Sequence, residues 1–249
     1  MILTSKNNPL IKETAALKEK KARKEHGLFL VEGVKMAKEC QKSGLEIERI
    51  FCLDETYAKD FDKNKTVLVS PDVLRHLSDE KTPQGIICRV KIPTHTLCKP
   101  TGKCLFLDGV SDPGNMGAII RTANAAGYNE IYLTKECTDP YSPKSVRASM
   151  SGLFFVTLYE GRREELLNVL SDTPLLVADM SGENAFEFSA PSLHALAIGN
   201  EANGISKEVF SSATHTLRIP MRETQESLNA AVSAGILMYL LSKDEFSSK

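Results

Sequence analysis

The sequence predicts an α/β protein with two domains, of which the C-terminal one contains a parallel β-sheet. Short apolar runs alternate with helix-like segments along most of the chain, as is typical of parallel strands joined by helices. The runs at 175–178 and 195–198 are apolar throughout, as expected for strands that are buried on both faces. A segment containing prolines and a glycine interrupts the alternation near residue 100, so we predict one α/β domain on each side of it.

The composition places this chain of 249 residues, 42% of them hydrophobic, among ordinary globular proteins. We expect no membrane span, because no apolar run approaches the roughly 18 residues that a span requires. The lysine-rich N-terminus has no apolar segment typical of a secretory signal, so a cytoplasmic location is expected. The six cysteines are scattered and the five histidines are isolated. We therefore expect reduced, mostly buried thiols and no metal site.

The N-terminal domain is predicted to span residues 1–95 and to begin with a basic helical arm at 1–25. Seven lysine and arginine residues face only three glutamates in this arm, although the whole chain carries a net charge of −1. A basic arm can neutralise phosphates, but a lysine-rich helix is equally often just a solvent-exposed face. The periodicity predicts helices at 4–24, 34–43 and 71–78, and strands at 28–33, 47–53, 66–69 and 85–90.

A linker at 96–103 is predicted to lead into a second domain at 104–249. Its strands and helices alternate in the order expected for a parallel sheet. Strands are predicted at 104–108, 130–134, 153–158, 174–179, 194–199 and 215–219; helices are predicted at 115–126, 144–151, 162–171, 205–211 and 227–242.

The first candidate for chemistry is the segment 108–127, in which an apolar strand leads into an acidic, glycine-containing loop and then a helix of small residues. In α/β proteins, ligands bind outside the carboxyl ends of such strands. Arg121 would lie among small residues on one helix face, where its planar guanidinium suits a phosphate. The alternative is that Asn115 only caps the helix and Arg121 is an ordinary surface residue.

Two further segments join polar residues to strand ends. In 197–206, Glu201 follows an apolar strand within a polar, glycine-flanked turn, although an Asn-Gly turn with an incidental acid is the alternative. In 217–235, an extended Ile-Pro-Met loop precedes a helix whose small apolar residues suggest close packing. There Ser227 is a natural N-cap, and Asn229 would lie on the first turn.

Together the three segments resemble the SpoU family of SPOUT-class RNA methyltransferases. The similar motifs are 112–123, 198–206 and 219–221 with 226–231, and the segment 145–152 also resembles an Arg-Ala-Ser segment of the family. The resemblance extends to an N-terminal substrate-binding domain through 4–12, 29–33 and 82–85, so it covers nearly the whole chain. Ala202 and Ser151 stand where the family more often has glycine.

The resemblance implies an S-adenosylmethionine-dependent enzyme that methylates a ribose 2′-hydroxyl in structured RNA, with 23S ribosomal RNA favoured. It also implies a deep trefoil knot in the C-terminal domain, a ribosomal-protein-like N-terminal domain and a homodimer joined through the helices at 115–127 and 227–242. The implied catalytic residues are Asn115, Arg121, Glu201, Ser227 and Asn229; the implied cofactor-binding residues are Leu133, Gly199, Asn200, Ile219, Met221 and Leu228; the RNA-binding candidates are Arg23, Lys24, Lys35, Arg121, Lys144 and Arg147.

Three other hypotheses remain for comparison. The substrate could be a transfer RNA, or the chain could be an inactive RNA-binding protein that retains the N-terminal domain. A dinucleotide-dependent enzyme is disfavoured, because the glycine fingerprint of such enzymes is absent. Within the resemblance, Arg121 is the expected activator of the 2′-hydroxyl. A guanidinium is essentially never deprotonated, so we expect Arg121 to bind the target phosphate and to stabilise a forming alkoxide.

Overall fold

A computed structural model describes residues 2–246 and divides the chain into two compact units. The first unit contains the residues up to Thr94 together with Asp139–Phe154, and the second contains His95–Thr138 and the residues from Phe155 onward. The sequence did not predict that Asp139–Phe154 groups with the N-terminal residues. No helix within residues 2–246 is both long and apolar enough to cross a membrane.

The first unit is built on a five-stranded mixed sheet with the order β1-β4-β3-β5-β2. Strand β5 runs antiparallel to β2 and β3, and the remaining pairs are parallel. Its core is aliphatic and aromatic, with Phe29 and Phe51 fully buried. The elements are β1 (Ile2–Leu3), α1 (Pro9–Ala16), α2 (Lys20–His26), β2 (Leu28–Glu32), α3 (Val34–Lys42), β3 (Ile47–Cys52), β4 (Thr66–Val69), α4 (Pro71–Leu77) and β5 (Ile86–Lys91).

The single helix predicted at 4–24 is wrong, because the chain forms the two helices α1 and α2 there. Arg23 stabilises the break: its guanidinium donates to the carbonyl oxygens of Leu17 and Lys18 at 2.7 and 2.6 Å. It also pairs with Asp139 of the same unit at 2.7 Å. Arg23 is 3% exposed, so it is a structural residue rather than the RNA-binding residue that the sequence suggested.

The second unit contains a six-stranded sheet in which every pair is parallel. The strand order is β11-β9-β10-β6-β7-β8. The elements from β6 onward, including α6, which belongs to the first unit, are β6 (Cys104–Asp108), α5 (Pro113–Ala126), β7 (Glu130–Thr134), α6 (Pro143–Ser149), β8 (Thr157–Gly161), α7 (Arg163–Val169), β9 (Leu175–Asn184), β10 (Ala195–Gly199), α8 (Lys207–Ser211), β11 (His215–Arg218), α9 (Ala230–Leu240) and α10 (Lys243–Phe246).

Three predicted segments after residue 104 differ from the observed elements by more than a residue or two. The strand predicted at 153–158 begins only at Thr157, because Met150–Phe155 forms a 3-10 helix. Strand β9 continues to Asn184, well beyond the predicted end at residue 179. Helix α9 begins at Ala230 rather than at residue 227, because the chain before it stays extended.

The direction of chain progression across the sheet reverses between β6 and β10. From β6 the chain proceeds through β7 to β8 on one side, whereas β10 lies on the other side. Their register aligns Gly199 with Asp108, the last residues of the two strands. The loops that follow both strands therefore leave the sheet at the same level, where α/β proteins form ligand-binding crevices.

Asp108 is a buried anion beneath these loops, with 2% of its surface exposed. One carboxylate oxygen accepts from Arg163 Nε at 2.8 Å, and the other accepts from the backbone N–H of Ser206 at 2.7 Å. These two contacts join the end of β6 to α7 and to the residue that precedes α8. A buried charge is costly unless it is paired, so the connection between β6, α7 and α8 depends on Asp108.

We predict that Asp108→Ala destabilises the protein strongly, because it leaves the Ser206 N–H without an acceptor and leaves Arg163 with the longer contact to Glu136 at 3.6 Å. The expected loss is about 3 kcal/mol, which corresponds to a decrease in melting temperature of roughly 6–12 °C. The control is Asp172→Ala, which removes an exposed pair with Lys99 and should cost at most about 1 kcal/mol. Similar thermal melting curves for the two variants would contradict the prediction.

Candidate active site

Helix α5 is capped by Asp112, whose side chain accepts from the backbone N–H of Asn115 at 2.9 Å. Pro113 occupies the first helical position, where its missing N–H costs nothing. The alternative that Asn115 is only the helix cap is therefore wrong. Its side-chain amide is available for other contacts.

Glu201 joins the loop after β10 to the loop after β6. One carboxylate oxygen accepts from the backbone N–H and the hydroxyl of Ser111 at 3.0 and 2.7 Å. The other accepts from the backbone N–H of Asp112 at 3.1 Å and from Asn115 Nδ2 at 2.9 Å. Four donors thus converge on one carboxylate, so Glu201 is not an incidental acid in a turn.

The hydrogen bonds also determine the charge of Glu201. Burial raises its pKa, but the donors from Asn115, Ser111 and Asp112 outweigh burial and lower the pKa to about 2. Glu201 therefore stays ionised across the physiological range. A carboxylate that holds its proton so weakly is a poor general base, so its role is to position its neighbours.

The amides of Asn115 and Asn229 extend this network in one direction. Asn115 must present its NH₂ group to Glu201, since a carboxylate only accepts, and its Oδ1 then accepts from Asn229 Nδ2 at 2.9 Å. Asn229 Oδ1 in turn accepts from the backbone N–H groups of Ala231 and Val232. Asn229 is therefore the N-cap of α9, in place of Ser227. The oxygen and the nitrogen of neither side-chain amide, Asn115 or Asn229, can be exchanged without losing these hydrogen bonds.

A cavity of about 520 Å³ opens beside this network. Its lining includes five of the six predicted cofactor-binding residues and three of the five predicted catalytic residues: Gly199, Asn200, Ile219, Met221, Leu228, Glu201, Ser227 and Asn229. Asn115 contacts Glu201 and Asn229 but is not part of the lining. Leu133 is the exception among the cofactor candidates, because it is 2% exposed within β7 and does not line the cavity.

The loop from Asn200 to Gly204 forms one wall of the cavity. The two residues exchange backbone hydrogen bonds at 2.9 Å, and Asn200 Nδ2 donates to the carbonyl of Gly109 at 2.8 Å. Gly199 packs so closely on this turn that an added Cβ would lie 2.3 Å from the carbonyl carbon of Gly204. The wall therefore requires glycine at position 199.

Sequence reasoning missed the part of the wall formed by Ala178, Asp179 and Met180. Strand β9 leaves the ladder here, since Thr216 pairs with Val177 and the next residue of β11 pairs with Glu183. The sequence does contain a signal for this part of the wall: Asp179 lies at the end of an apolar run predicted to be a strand of the same parallel sheet. The carboxyl end of that strand should therefore lie at the same edge of the sheet as the carboxyl ends of β6 and β10.

The side chains of Arg121 and Ser227 have no hydrogen-bond partner within residues 2–246, although the backbone carbonyl of Ser227 accepts from Gln225 Nε2. Arg121 is exposed on α5, it does not line the cavity, and its guanidinium forms no ion pair there. Ser227 lines the cavity. The structure therefore leaves both side chains accessible to a ligand, while it does not place Arg121 in the network of Glu201.

The other cationic candidates lie in the first unit. Lys35 is exposed, and Lys24 and Lys144 each interact with a neighbouring group. Arg147 is ion-paired with Asp79 at 2.7 Å and Glu80 at 2.6 Å. Within the described residues, no group of three potential ligands is arranged to hold a metal ion.

Comparison with known protein families accounts for most of the chain. The family described as SpoU rRNA Methylase matches residues 102–239. A second family, the MRM3-like substrate binding domain, matches residues 8–88.

Individual relatives are similar over nearly their full lengths. The chain is 29% identical to 23S rRNA (guanosine(2553)-2'-O)-methyltransferase RlmP of Bacillus subtilis, with 96% of this chain and 98% of that protein covered. It is 28% identical to a 23S rRNA (uridine(2479)-2'-O)-methyltransferase of Streptomyces viridochromogenes, covering 95% and 90%. The AdoMet-bound rRNA methyltransferase of Sinorhizobium meliloti superimposes with a TM-score of 0.90 at 27% identity, covering 98% of both chains.

We predict that the contribution of Glu201 to stability decreases in acid. Because its pKa is lowered to about 2 from an unfolded value of about 4.3, the contribution is complete above roughly pH 4.5 and declines as the pH falls toward 2. Melting temperatures of the unsubstituted protein and of Glu201→Gln should therefore differ most near neutral pH and converge below about pH 4.5. Glu164→Gln, at an exposed residue of α7, is the control. A difference that stays constant down to pH 3 would contradict the prediction.

Proposed function

Because the chain belongs to the SpoU rRNA methylase family, we propose that it transfers a methyl group from S-adenosylmethionine to a ribose 2′-hydroxyl of 23S ribosomal RNA. The observation that carries the proposal is the network of Glu201, Asn115 and Asn229 at the cavity. Relatives named as 23S rRNA 2′-O-methyltransferases align over at least 90% of their own length. The alternative is a transfer RNA substrate; a solved structure whose name refers to 2-OH methylation of tRNA covers 58% of this chain at a TM-score of 0.53.

The cavity fits S-adenosylmethionine in size and lining. Sites for ligands of this class typically have volumes of about 300–1,000 Å³ and combine apolar walls with a few polar groups, and the 520 Å³ cavity has this character. Ile219, Met221 and Leu228 would contact apolar parts of the cofactor, while Gly199 and Asn200 would offer backbone groups. The cofactor supplies an electrophilic methyl group on its sulfonium.

The polar residues around the cavity are proposed to orient the ribose and to stabilise developing charge. Glu201 holds Asn115, and Asn115 holds Asn229, so the polar rim is positioned before any substrate arrives. Preorganised dipoles of this kind stabilise developing charge without reorganisation. The free hydroxyl of Ser227 lies in the same lining and is available to the ribose.

Arg121 is proposed to bind the phosphate next to the target ribose and to stabilise the alkoxide that forms as the 2′-hydroxyl releases its proton to solvent water. The guanidinium is exposed and unpaired within residues 2–246, so it needs no rearrangement to accept a phosphate. It keeps its own proton throughout. Its contribution is therefore electrostatic rather than that of a base.

We further propose a homodimer in which helix α9 packs against the second copy. The helix is almost wholly apolar, yet Val232 and Tyr239 are 50% and 45% exposed. One side already packs closely on α5, since an added Cβ at Gly235 would lie 3.5 Å from the Thr122 methyl group. An apolar helix left uncovered on its other side favours burial against a partner.

A deep trefoil knot and a cytoplasmic location complete the proposal. The knot is supported by the path of the chain, which places β11 at the edge beyond β9 and then returns α9 to α5 and β10. The location is proposed by analogy with the bacterial relative named as a 23S rRNA methyltransferase. The first unit would bind the RNA, in keeping with the substrate-binding family that matches residues 8–88.

We predict that Gly199→Ala weakens S-adenosylmethionine binding at least tenfold by isothermal titration calorimetry. The new methyl group would meet the backbone of Gly204 at 2.3 Å and displace the wall of the cavity. Gly102→Ala is the matched control, because no atom beyond its chain neighbours lies within 4 Å of the position that its Cβ would occupy. Equal affinities for the two variants would contradict the assignment of this cavity to the cofactor.

We predict that Arg121→Lys and Arg121→Ala retain cofactor binding but lower the methylation rate by about 10²–10³, the typical effect of losing an electrostatic stabiliser. The measurement is 2′-O-methyl mapping of ribosomal RNA, first from cells with and without the protein and then with each variant. Arg162→Lys, at an exposed residue of the second unit, is the control. Near-full activity of Arg121→Lys would exclude bidentate phosphate binding, and an unchanged methylation map without the protein would overturn the proposed function.

A further inference from the structure

The first unit contains a second cavity, which is separate from the site described above. It has a volume of about 240 Å³ and lies between β2, β5, α3 and α6. Its walls combine apolar residues, which include Leu30, Ile87 and Val146, with several polar and charged ones. The volume is below the range of drug-sized ligand sites, so it suits one small group.

The backbone is strained at the rim of this cavity. Met150 lines it and has a φ of 50° and a ψ of −138°, a conformation that is essentially restricted to glycine. It is the one non-glycine residue with positive φ in the described part of the chain. Strain of this kind concentrates at ligand-binding sites.

Glu32 provides a hydrogen-bond acceptor with unused capacity in the lining. Its Oε1 accepts from the backbone N–H of Gln84 at 3.2 Å, and the Ser78 hydroxyl lies 2.9 and 2.8 Å from the two oxygens. A carboxylate offers about four acceptor positions, so Oε2, which shares one hydroxyl, can accept further donors. Burial raises the pKa of Glu32, which makes the carboxylate a stronger acceptor.

Gln84 provides a donor beside Glu32. Gln84 lines the cavity, and its side-chain amide has no hydrogen-bond partner within residues 2–246. Gly33 makes room for this amide, because a Cβ there would lie 2.4 Å from Gln84 Oε1 and the φ of Gly33 is +96°. The cavity thus presents an acceptor and a donor side by side.

The charged residues of the lining are three acids and two cations, namely Glu32, Asp79, Glu80, Lys35 and Arg147. This excess of negative charge disfavours a phosphate. The guanidinium of Arg147, which also lines the cavity, is already bound by the carboxylates of Asp79 and Glu80. A phosphate would have to displace these two anions and approach Glu32 as well. The chemistry therefore suits the uncharged base of an RNA rather than its backbone.

We propose that this cavity binds a single unstacked guanine of the RNA substrate. Guanine has two adjacent N–H donors on its Watson–Crick edge, which match Glu32, and a neighbouring carbonyl, which matches the amide of Gln84. Adenine and uracil lack the paired donors. The inference rests on the proposed function, since it assumes that the first unit binds RNA, and it adds a base-specific contact outside the methyl-transfer site.

The test measures the binding of 5′-fluorescein-labelled heptamers, U₃GU₃, U₃IU₃, U₃AU₃ and U₇, to the full chain by fluorescence anisotropy. We expect the guanine heptamer to bind about tenfold more tightly than the adenine and uracil heptamers, in line with the discrimination of a bidentate contact. Inosine, which lacks the N2 amino group, should be intermediate. Glu32→Gln should abolish the preference, whereas Glu46→Gln, at an exposed residue paired with Lys91, should keep it.

A second variant, Met36→Trp, fills the cavity from α3 without changing a charge, and it should also abolish the preference. Melting temperatures establish whether each variant is folded. If either Glu32→Gln or Met36→Trp does not fold, the other variant alone tests the proposal. Equal binding of all four heptamers, or an unchanged preference in a folded Glu32→Gln or Met36→Trp, overturns the proposal. Cofactor binding and ribosomal RNA methylation by the same preparation report separately on the proposed function, which can hold while the guanine site fails.

Discussion

The candidate site depends on one carboxylate that ties two loops together. Glu201 belongs to the loop after β10, yet all its donors come from the segment after β6. The parallel register of the two strands makes this possible, because it starts both loops at the same level. The acid is held in its charged form by the donors that it organises. Loop geometry, charge and amide orientation therefore form a single cooperative unit.

Asp108 and Glu201 show how carboxylates position this site through the donors that they accept. Asp108 ends β6 and fixes the backbone that leads into α8, while Glu201 lies in the loop after β10 and fixes the start of α5. Both accept backbone N–H groups near the ends of helices, where such donors lack partners within the helix. Arg121 is left as the exposed cation of α5, without a carboxylate to neutralise it within residues 2–246.

The sequence predicted the alternation of elements and most strand positions well, because buried parallel strands have continuous apolar runs that need no tertiary information. Of the six residues that it proposed for the cofactor, five line the cavity. The failures have a common cause in long-range contacts. Arg23 is buried by Asp139, which is 116 residues away in the sequence. Leu133 is covered within the sheet, and the excursion of β9 depends on its pairing with β11.

Because each amide donates to one neighbour and accepts from another, positions 115 and 229 require asparagine and would not tolerate the similarly shaped aspartate. An aspartate has nearly the same shape as an asparagine, but at position 115 it would set a second anion against Glu201, whose two oxygens already face donors. At position 229 it would place an anion against the carbonyl oxygen of Asn115. Deamidation of either side chain would thus introduce electrostatic repulsion at the rim of the cavity in a protein that is otherwise folded. The lifetime of the site therefore depends on the resistance of these two amides to deamidation.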